Sequence, residues 1–367
     1  MNKKTGKYAT VHYQSYLKLD DILNAQKLRS DQVGEEAHEE MLFIITHQAY
    51  ELWFKQIIHE LQSVLKMFRA AHVDERNVST VVARMGRIGE IMDLIIRQIK
   101  VMETMTPLDF LDFRNFLFPA SGFQSFQFRK IENLMGLPES ERITYNDNHY
   151  TSPFPKEQQE ELNQIYRSGT LFDAIENWLE RTPFLQFGTF KFLEKYELAV
   201  EKMIQKEQEA IKRSEYLTED EKQMRLKMLG TKDTYFQSIL DEDIHAKLKS
   251  EGKLKLSYKA TIAALFINLY REEPVLNLPY LLLSKLVEID GQFTTWRYRH
   301  AQMVMGMLGK KIGTGGSSGH DYLMKTALKH KFFGDLHNIS TLLIPRSELP
   351  ELPGYLKKEL SFHTTTK

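Results

Sequence analysis

The sequence predicts an all-α protein, a large helical bundle carrying a small charged helical hairpin. Two observations lead there: several long segments repeat their apolar residues with a helical period, and the alternation that marks a half-buried strand is almost absent. The hydrophobic content of 42% in 367 residues is ample for a large core.

The helices follow in chain order. Residues Leu17 to Leu28 read as a short helix, and Glu35 to Ala71 as a long one whose acidic first turn suits the helix dipole. In the long helix Phe43, His47, Tyr50, Phe54, Ile57, Ile58 and Leu61 share one side at 100° per residue. Ile45 and Leu52 make the opposite side apolar, so this helix is expected to be buried nearly all round. Val78 to Met105 reads as an amphipathic helix ending before Pro107. Residues 201–232, rich in Lys, Glu and Gln, read as a solvated hairpin turning at Ser214 to Glu219. From Leu254 to Leu286 the chain is apolar and helical, with breaks expected at Pro274 and Pro279.

Forty-nine basic and 49 acidic residues give no net field toward nucleic acid or an anionic membrane. No apolar run is long enough for a membrane span and no secretory signal opens the chain, so neither membrane nor nucleic-acid partners are expected, and a cytoplasmic location is. Without cysteine there is no disulfide, thiolate metal site or cysteine nucleophile. Redox chemistry would need histidine, carboxylate or a bound cofactor.

Three features carry candidate chemistry. His47 is polar on an apolar stripe, which fits either a hydrogen-bonded core histidine or the wall of a wet functional cavity. Between Pro107 and Arg129 lie seven phenylalanines around Ser121 and Gly122, which suits an aromatic core or a segment wrapped on something flat and apolar. His300 lies on one face with Trp296, Met303, Val304 and Met307. It is either a core histidine or a neutral imidazole placed to ligate haem iron. The following loop, Gly309 to Gly319, lacks phosphate-loop order and GxGxxG spacing, leaving a plain helix stop or a loop closing over a small polar substrate through Thr314. Glu35-x-x-His38 and Glu242-x-x-His245 have di-iron spacing but sit in charged, exposed-looking surroundings.

Four blocks together resemble the tryptophan 2,3-dioxygenase family: Glu39 to Leu61, Phe116 to Ser125, Trp296 to His300 and Gly313 to Gly319, in the family's order along nearly the whole chain. The resemblance implies a cytosolic enzyme with one haem b per subunit that opens the indole ring of L-tryptophan with O₂, giving N-formyl-L-kynurenine, the first step of tryptophan catabolism by the kynurenine pathway. It implies His300 as the axial iron ligand, with Ser121, Gly122, Arg129 and Trp296 around the cofactor. His47 matches the histidine that meets the indole N–H, and Phe43, Ile44, Ile45, Thr46 and Phe110 match pocket walls. Arg114 matches the residue that binds the substrate carboxylate, and Thr314 the contact to its ammonium and carboxylate groups. Tyr13, Tyr16 and Leu17 match an N-terminal segment, residues 1–30, that reaches a neighbouring subunit's site. Residues 31–367 would form a single haem dioxygenase domain, and the assembly would be a homotetramer, a dimer of dimers.

Elementary chemistry agrees with these roles. A guanidinium binds a carboxylate through two parallel charge-assisted hydrogen bonds. An indole N–H is a very weak acid and an imidazole of pKa about 6.5 a poor match for removing its proton, so His47 reads as an orienting group. One departure stands out: Gly306 occupies a position where the family tends to carry a long basic residue. Indoleamine dioxygenase chemistry, a haem carrier and a helical scaffold are the competing readings; a carrier has no use for Arg114 and Thr314, and a scaffold none for two inward histidines.

Overall fold

The computed structural model describes residues 10–69, 75–143, 149–230, 234–309, 311 and 319–361. Among them the only strands are the two-residue pair β1 (Gln186–Phe187) and β2 (Phe190–Lys191), so the all-α expectation holds.

The N-terminus departs from the single helix expected at 17–28. Two five-residue helices, α1 (Tyr13–Leu17) and α2 (Leu19–Leu23), are separated by Lys18 in the left-handed region at φ 55°, and neither buries a residue. With no packing to hold a longer helix, the chain breaks after one turn. Next, α3 (Arg29–Val33) is capped from outside: both oxygens of the Glu40 carboxylate accept from the Arg29 and Ser30 amides, at 2.8 and 2.9 Å.

Three long helices form the frame. The first, α4 (Glu39–Phe68), buries Phe54, Ile57, Leu61, Val64, Leu65 and Phe68, at the spacing expected. Its opposite side is not buried: Ile45 is 49% exposed and Leu52 54%, which corrects the all-round burial expected of it. The second, α5 (Arg76–Met102), buries Val81, Met85, Ile88, Met92, Ile95 and Ile99, a three-and-four repeat facing α4 and the third long helix. Each such side chain contributes about 1.5–3 kcal/mol when fully buried.

Pro107 opens α6 (Pro107–Arg114) behind a capping box: the Asp109 amide donates to Thr106 Oγ1 at 3.3 Å and the Thr106 amide to the Asp109 carboxylate at 2.9 Å. Then α7 (Phe126–Met135) packs on α4, followed by α8 (Lys156–Arg167) and α9 (Leu171–Leu179). The turn after α7 needs Gly136, at φ +98°, where a Cβ would lie 2.7 Å from that of Phe172.

The charged segment forms two neighbouring helices, α10 (Phe192–Arg213) and α11 (Glu219–Gly230), with residues 214–218 between them as expected. The start of α10 belongs to the core through Phe192, Tyr196 and Val200, while beyond Val200 it buries only Ile211. After α12 (Thr234–Leu240) and α13 (Glu242–Ser250) comes α14 (Tyr258–Leu269), buried from Ala260 through Ile267.

The third long helix, α15 (Pro274–Leu308), runs unbroken for 35 residues. Pro274 begins it at the first position, where its missing N–H costs nothing. Pro279 lies inside it, contrary to the expected break. It forfeits one hydrogen bond in the second turn, and the buried Leu282, Leu283, Leu286, Ile289 and Phe293 that follow outweigh that cost of about 3 kcal/mol. The chain closes with α16 (Gly319–Lys329), lying along α15, and the short α17 (Gly334–Asn338) and α18 (Gly354–Glu359).

Among the described residues no helix is long and apolar enough to cross a membrane. No group of three or more His, Asp or Glu among them could hold a metal ion. His245 is buried rather than exposed, with Nε2 at 2.9 Å from the Leu256 carbonyl, while His38 is exposed.

Candidate active site

A second, smaller apolar cluster lies apart from the main core. Phe43 of α4, Phe110 and Phe113 of α6, and Met303 and Met307 of α15 meet there with Met102 and Met105. The Phe43 ring stacks on Phe110 at 5.8 Å and meets the edge of Phe113 at 5.6 Å. Helical spacing explains the convergence: Phe110 and Phe113 lie three apart, and Met303 and Met307 fall one and two turns beyond His300.

His47 sits one turn after Phe43, ring centroids 4.1 Å apart and tilted by 35°, and it is exposed in the single chain, which corrects the nearly all-round burial expected of this helix here too. Its Nδ1 is 2.7 Å from the Phe43 carbonyl oxygen. A carbonyl only accepts, so Nδ1 carries the hydrogen and the neutral ring presents Nε2 as an acceptor. Desolvation pushes its pKa below the ordinary value, partly offset by the Phe43 carbonyl and the Glu51 carboxylate.

On α15, Trp296 lies one turn before His300, 5.4 Å ring to ring, and packs against Phe128 at 5.1 Å and Phe54 at 6.1 Å. Burial, and then the charge His47 would carry, push the pKa of His300 down to about 4. The ring is therefore neutral at ordinary pH, as a metal-ligating imidazole must be. Its Nδ1 is buried with no hydrogen-bond partner in the protein. A neutral imidazole beside Trp296, with a buried and unpartnered Nδ1, is of the kind that would hold a metal-bearing cofactor.

The aromatic segment meets α15 where Phe128 packs on Trp296, one turn before His300. Ser121 caps a short 3-10 turn at Gly122–Gln124, and Ser125 caps α7. This stretch is tied to α4 through Glu51: Ser125 Oγ donates to its carboxylate at 2.5 Å, and Gln127 Nε2 donates to the carboxylate at 2.8 Å and to its main-chain oxygen at 2.7 Å.

Arg129 is committed elsewhere. Its guanidinium pairs with Glu132 at 2.8 Å in a buried network that also brings Arg142 to 2.9 Å and Arg297 to 3.1 Å from the same carboxylate. Burial alone would raise the pKa of Glu132, but Arg129, His330, Arg142 and Arg297 together hold it well below the ordinary carboxylate range. Reading the sequence did not single out Glu51 or Glu132. Each had a signal: Glu51 lies four residues after His47, and Glu132 is a carboxylate on the face of α7 that also carries Phe128 and Ile131.

The structure thus brings Phe43, His47 and Phe110 together with the α15 turns beyond His300, and Arg114, half-buried, closes α6 beside them. Ile44 is half-buried and Thr46 buried, its carbonyl accepting from Gln98. Ile45 points away, onto a cavity of about 730 Å³ shared with Leu28, Asp31 and Met41. Tyr13 and Tyr16 are each 72% exposed, and Leu17 is exposed as well. Thr314 lies outside the described residues.

Fold and site define a helical enzyme with a neutral histidine behind an aromatic wall suited to a flat ring. The sequence profile of tryptophan 2,3-dioxygenase matches residues 2–343. The chain is 49% identical over 357 residues to the tryptophan 2,3-dioxygenase of Bdellovibrio bacteriovorus, covering 97% of this chain and 99% of that one. It is 47% identical to that of Xenopus laevis, over 95% of this chain and 86% of the relative, and 46% identical to that of Mus musculus, over 95% and 86%. The chain belongs to the tryptophan 2,3-dioxygenase family.

Proposed function

We propose that this dioxygenase cleaves the C2–C3 bond of L-tryptophan with O₂ to give N-formyl-L-kynurenine, using one haem b per subunit. The observation that carries the reading is the bond from His47 Nδ1 to the Phe43 carbonyl, which leaves Nε2 free to accept the indole N–H. His300 would hold the iron, with Trp296, Ser121 and Gly122 bordering the macrocycle, while Arg129, expected beside it, is held in the Glu132 network and backs the site from behind. When bound, haem supplies the activation of O₂ that the side chains cannot provide.

The chain's own residues bind and orient. Phe43 and Phe110 offer a flat wall to the indole, excluding water from its C2–C3 edge. Arg114 takes the substrate carboxylate in a two-pronged pair, and Thr314 meets the ammonium and carboxylate groups. The lowered proton affinity of His47 keeps its Nε2 lone pair available as an acceptor and makes it a weak base, so it positions the ring and leaves the N–H proton in place. With both oxygen atoms added at C2 and C3, the ring opens and retains them.

The exposed apolar side chains of Tyr13, Tyr16, Leu17, Ile45 and Leu52 support assembly of a homotetramer in which the N-terminal segment of one subunit completes a neighbour's site. The absence of cysteine suits a reducing, cytoplasmic setting. The test is the haem-loaded ferrous enzyme with O₂ and L-tryptophan, followed by N-formylkynurenine absorbance. His47→Ala should weaken binding or turnover without abolishing it. Complete loss of chemistry with haem and substrate still bound would make His47 the base; no Soret band would remove the haem assignment, and one indifferent to His300→Ala would remove His300 as the iron ligand.

A further inference from the structure

Glu51 accepts three hydrogen bonds from one short stretch of the aromatic segment, and no part of the proposed chemistry uses it. It stands one turn after His47 on α4 and is half-buried. Ser125, which donates to one carboxylate oxygen, is itself the cap of α7, its Oγ accepting from the Phe128 amide at 3.3 Å. Gln127 spans the other carboxylate oxygen and the Glu51 carbonyl. The carboxylate therefore sits at the positive end of α7 and fixes both the entry of that helix and the Ser121–Gln124 turn before it. Beside these bonds the segment meets α4 through Phe128, whose ring lies 5.4 Å from that of Phe54, while Phe123 faces Tyr322 and Phe126 faces Phe154.

We propose that Glu51 is a positioning residue for tryptophan binding, clamping the Ser121–Phe128 wall to the turn of α4 that carries His47. Its negative charge also bears on the His47 imidazole; the other titratable group bearing on that ring is His300, from α15. The clamp is a charge-assisted pair of hydrogen bonds that holds the segment and the His47-bearing turn of α4 at fixed separation. It rests on the assignment of Phe43, His47 and Phe110 to the tryptophan site.

The test uses the haem-loaded enzyme and four variants, Glu51→Gln, Ser125→Ala, their double and His47→Ala, with L-tryptophan affinity read from the Soret shift between pH 5 and 8. Ser125→Ala should weaken L-tryptophan about fivefold, the loss of one hydrogen bond of about 1 kcal/mol, while kcat at saturation falls far less and the Soret maximum stays in place. The double variant should lose clearly less affinity than the two single losses combined, the coupling expected of partners in one hydrogen bond. Glu51→Gln, which keeps the shape and removes the charge, should also move the acid limb of binding to lower pH, because an anion beside an imidazole favours the protonated ring. Ser125→Ala should leave that limb in place. Additive effects, or affinity losses that merely track lost thermal stability, would overturn the clamp. If His47→Ala binds L-tryptophan as the unaltered protein does, the site assignment fails; if it binds weakly while Glu51→Gln and Ser125→Ala do not, the positioning role alone fails.

Discussion

Arg297 and Glu132 meet at 3.1 Å in the dry interior, three residues ahead of His300 on the same helix. The contact fixes α15 against α7, and the other Glu132 partners, Arg129 and Arg142, extend the tie. One carboxylate thus holds three guanidiniums out of water. Glu132→Ala should cost about 3–5 kcal/mol, because it leaves buried cations uncompensated, and chemical denaturation would measure it. Replacing the acid and its arginines together by apolar residues of similar volume should cost much less.

A pH dependence follows from His300. In the folded, haem-free protein its pKa is pushed down to about 4, whereas the unfolded chain titrates at the ordinary value of about 6.5. As pH falls the unfolded state takes the proton first. This residue therefore withdraws stability progressively between about pH 6.5 and about pH 4 and adds no further change below. Denaturation midpoints for the unaltered protein and His300→Leu should diverge across that window. Parallel curves would contradict the depressed pKa.

Gly306 is a stabilising target. It lies within α15, and a Cβ placed there meets nothing within 4 Å. Gly306→Ala should raise stability by about 0.5–1 kcal/mol through helix propensity and lost unfolded-state freedom, read as a higher melting temperature. An unchanged or lower value would contradict this account of Gly306.

Gly136 should behave in the opposite way. Its φ of +98° is disfavoured for alanine, and the new Cβ would fall 2.8 Å from Thr170 Oγ1 as well as 2.7 Å from Phe172 Cβ. Backbone strain of about 1–3 kcal/mol and the clash add, so Gly136→Ala should lower the melting temperature clearly. Equal melting temperatures for Gly306→Ala and Gly136→Ala would defeat both arguments.

What could be read from the sequence is what repeats locally. The buried face of α5 follows from its own spacing, and so does the placing of His47 one turn from Phe43. Pro279 was misjudged because a local breaker was weighed without the leucines that α15 goes on to bury. Ile45 and Leu52 were misjudged because apolar character on a helix does not say whether the same chain covers it. Glu51 and Glu132 could not be ranked from sequence, since Ser125 lies 74 residues from the one and Arg297 165 from the other, and Arg129 and Arg142 near Glu132 do not by themselves show a buried network. Resemblance supplied roles for Arg114, Thr314 and the N-terminal tyrosines that no period or spacing contains.

The bond between His47 Nδ1 and the Phe43 carbonyl has a consequence for selectivity. A ring whose only hydrogen is spent inside its own helix cannot turn donor toward a ligand without breaking that bond. Under the proposed binding mode, discrimination falls at a single atom: indole offers it a proton, whereas benzothiophene and 1-methylindole analogues of the amino acid present sulfur or a methyl group to a lone pair that stays unanswered. Such analogues should be poorly accepted even though they fill the same aromatic slot.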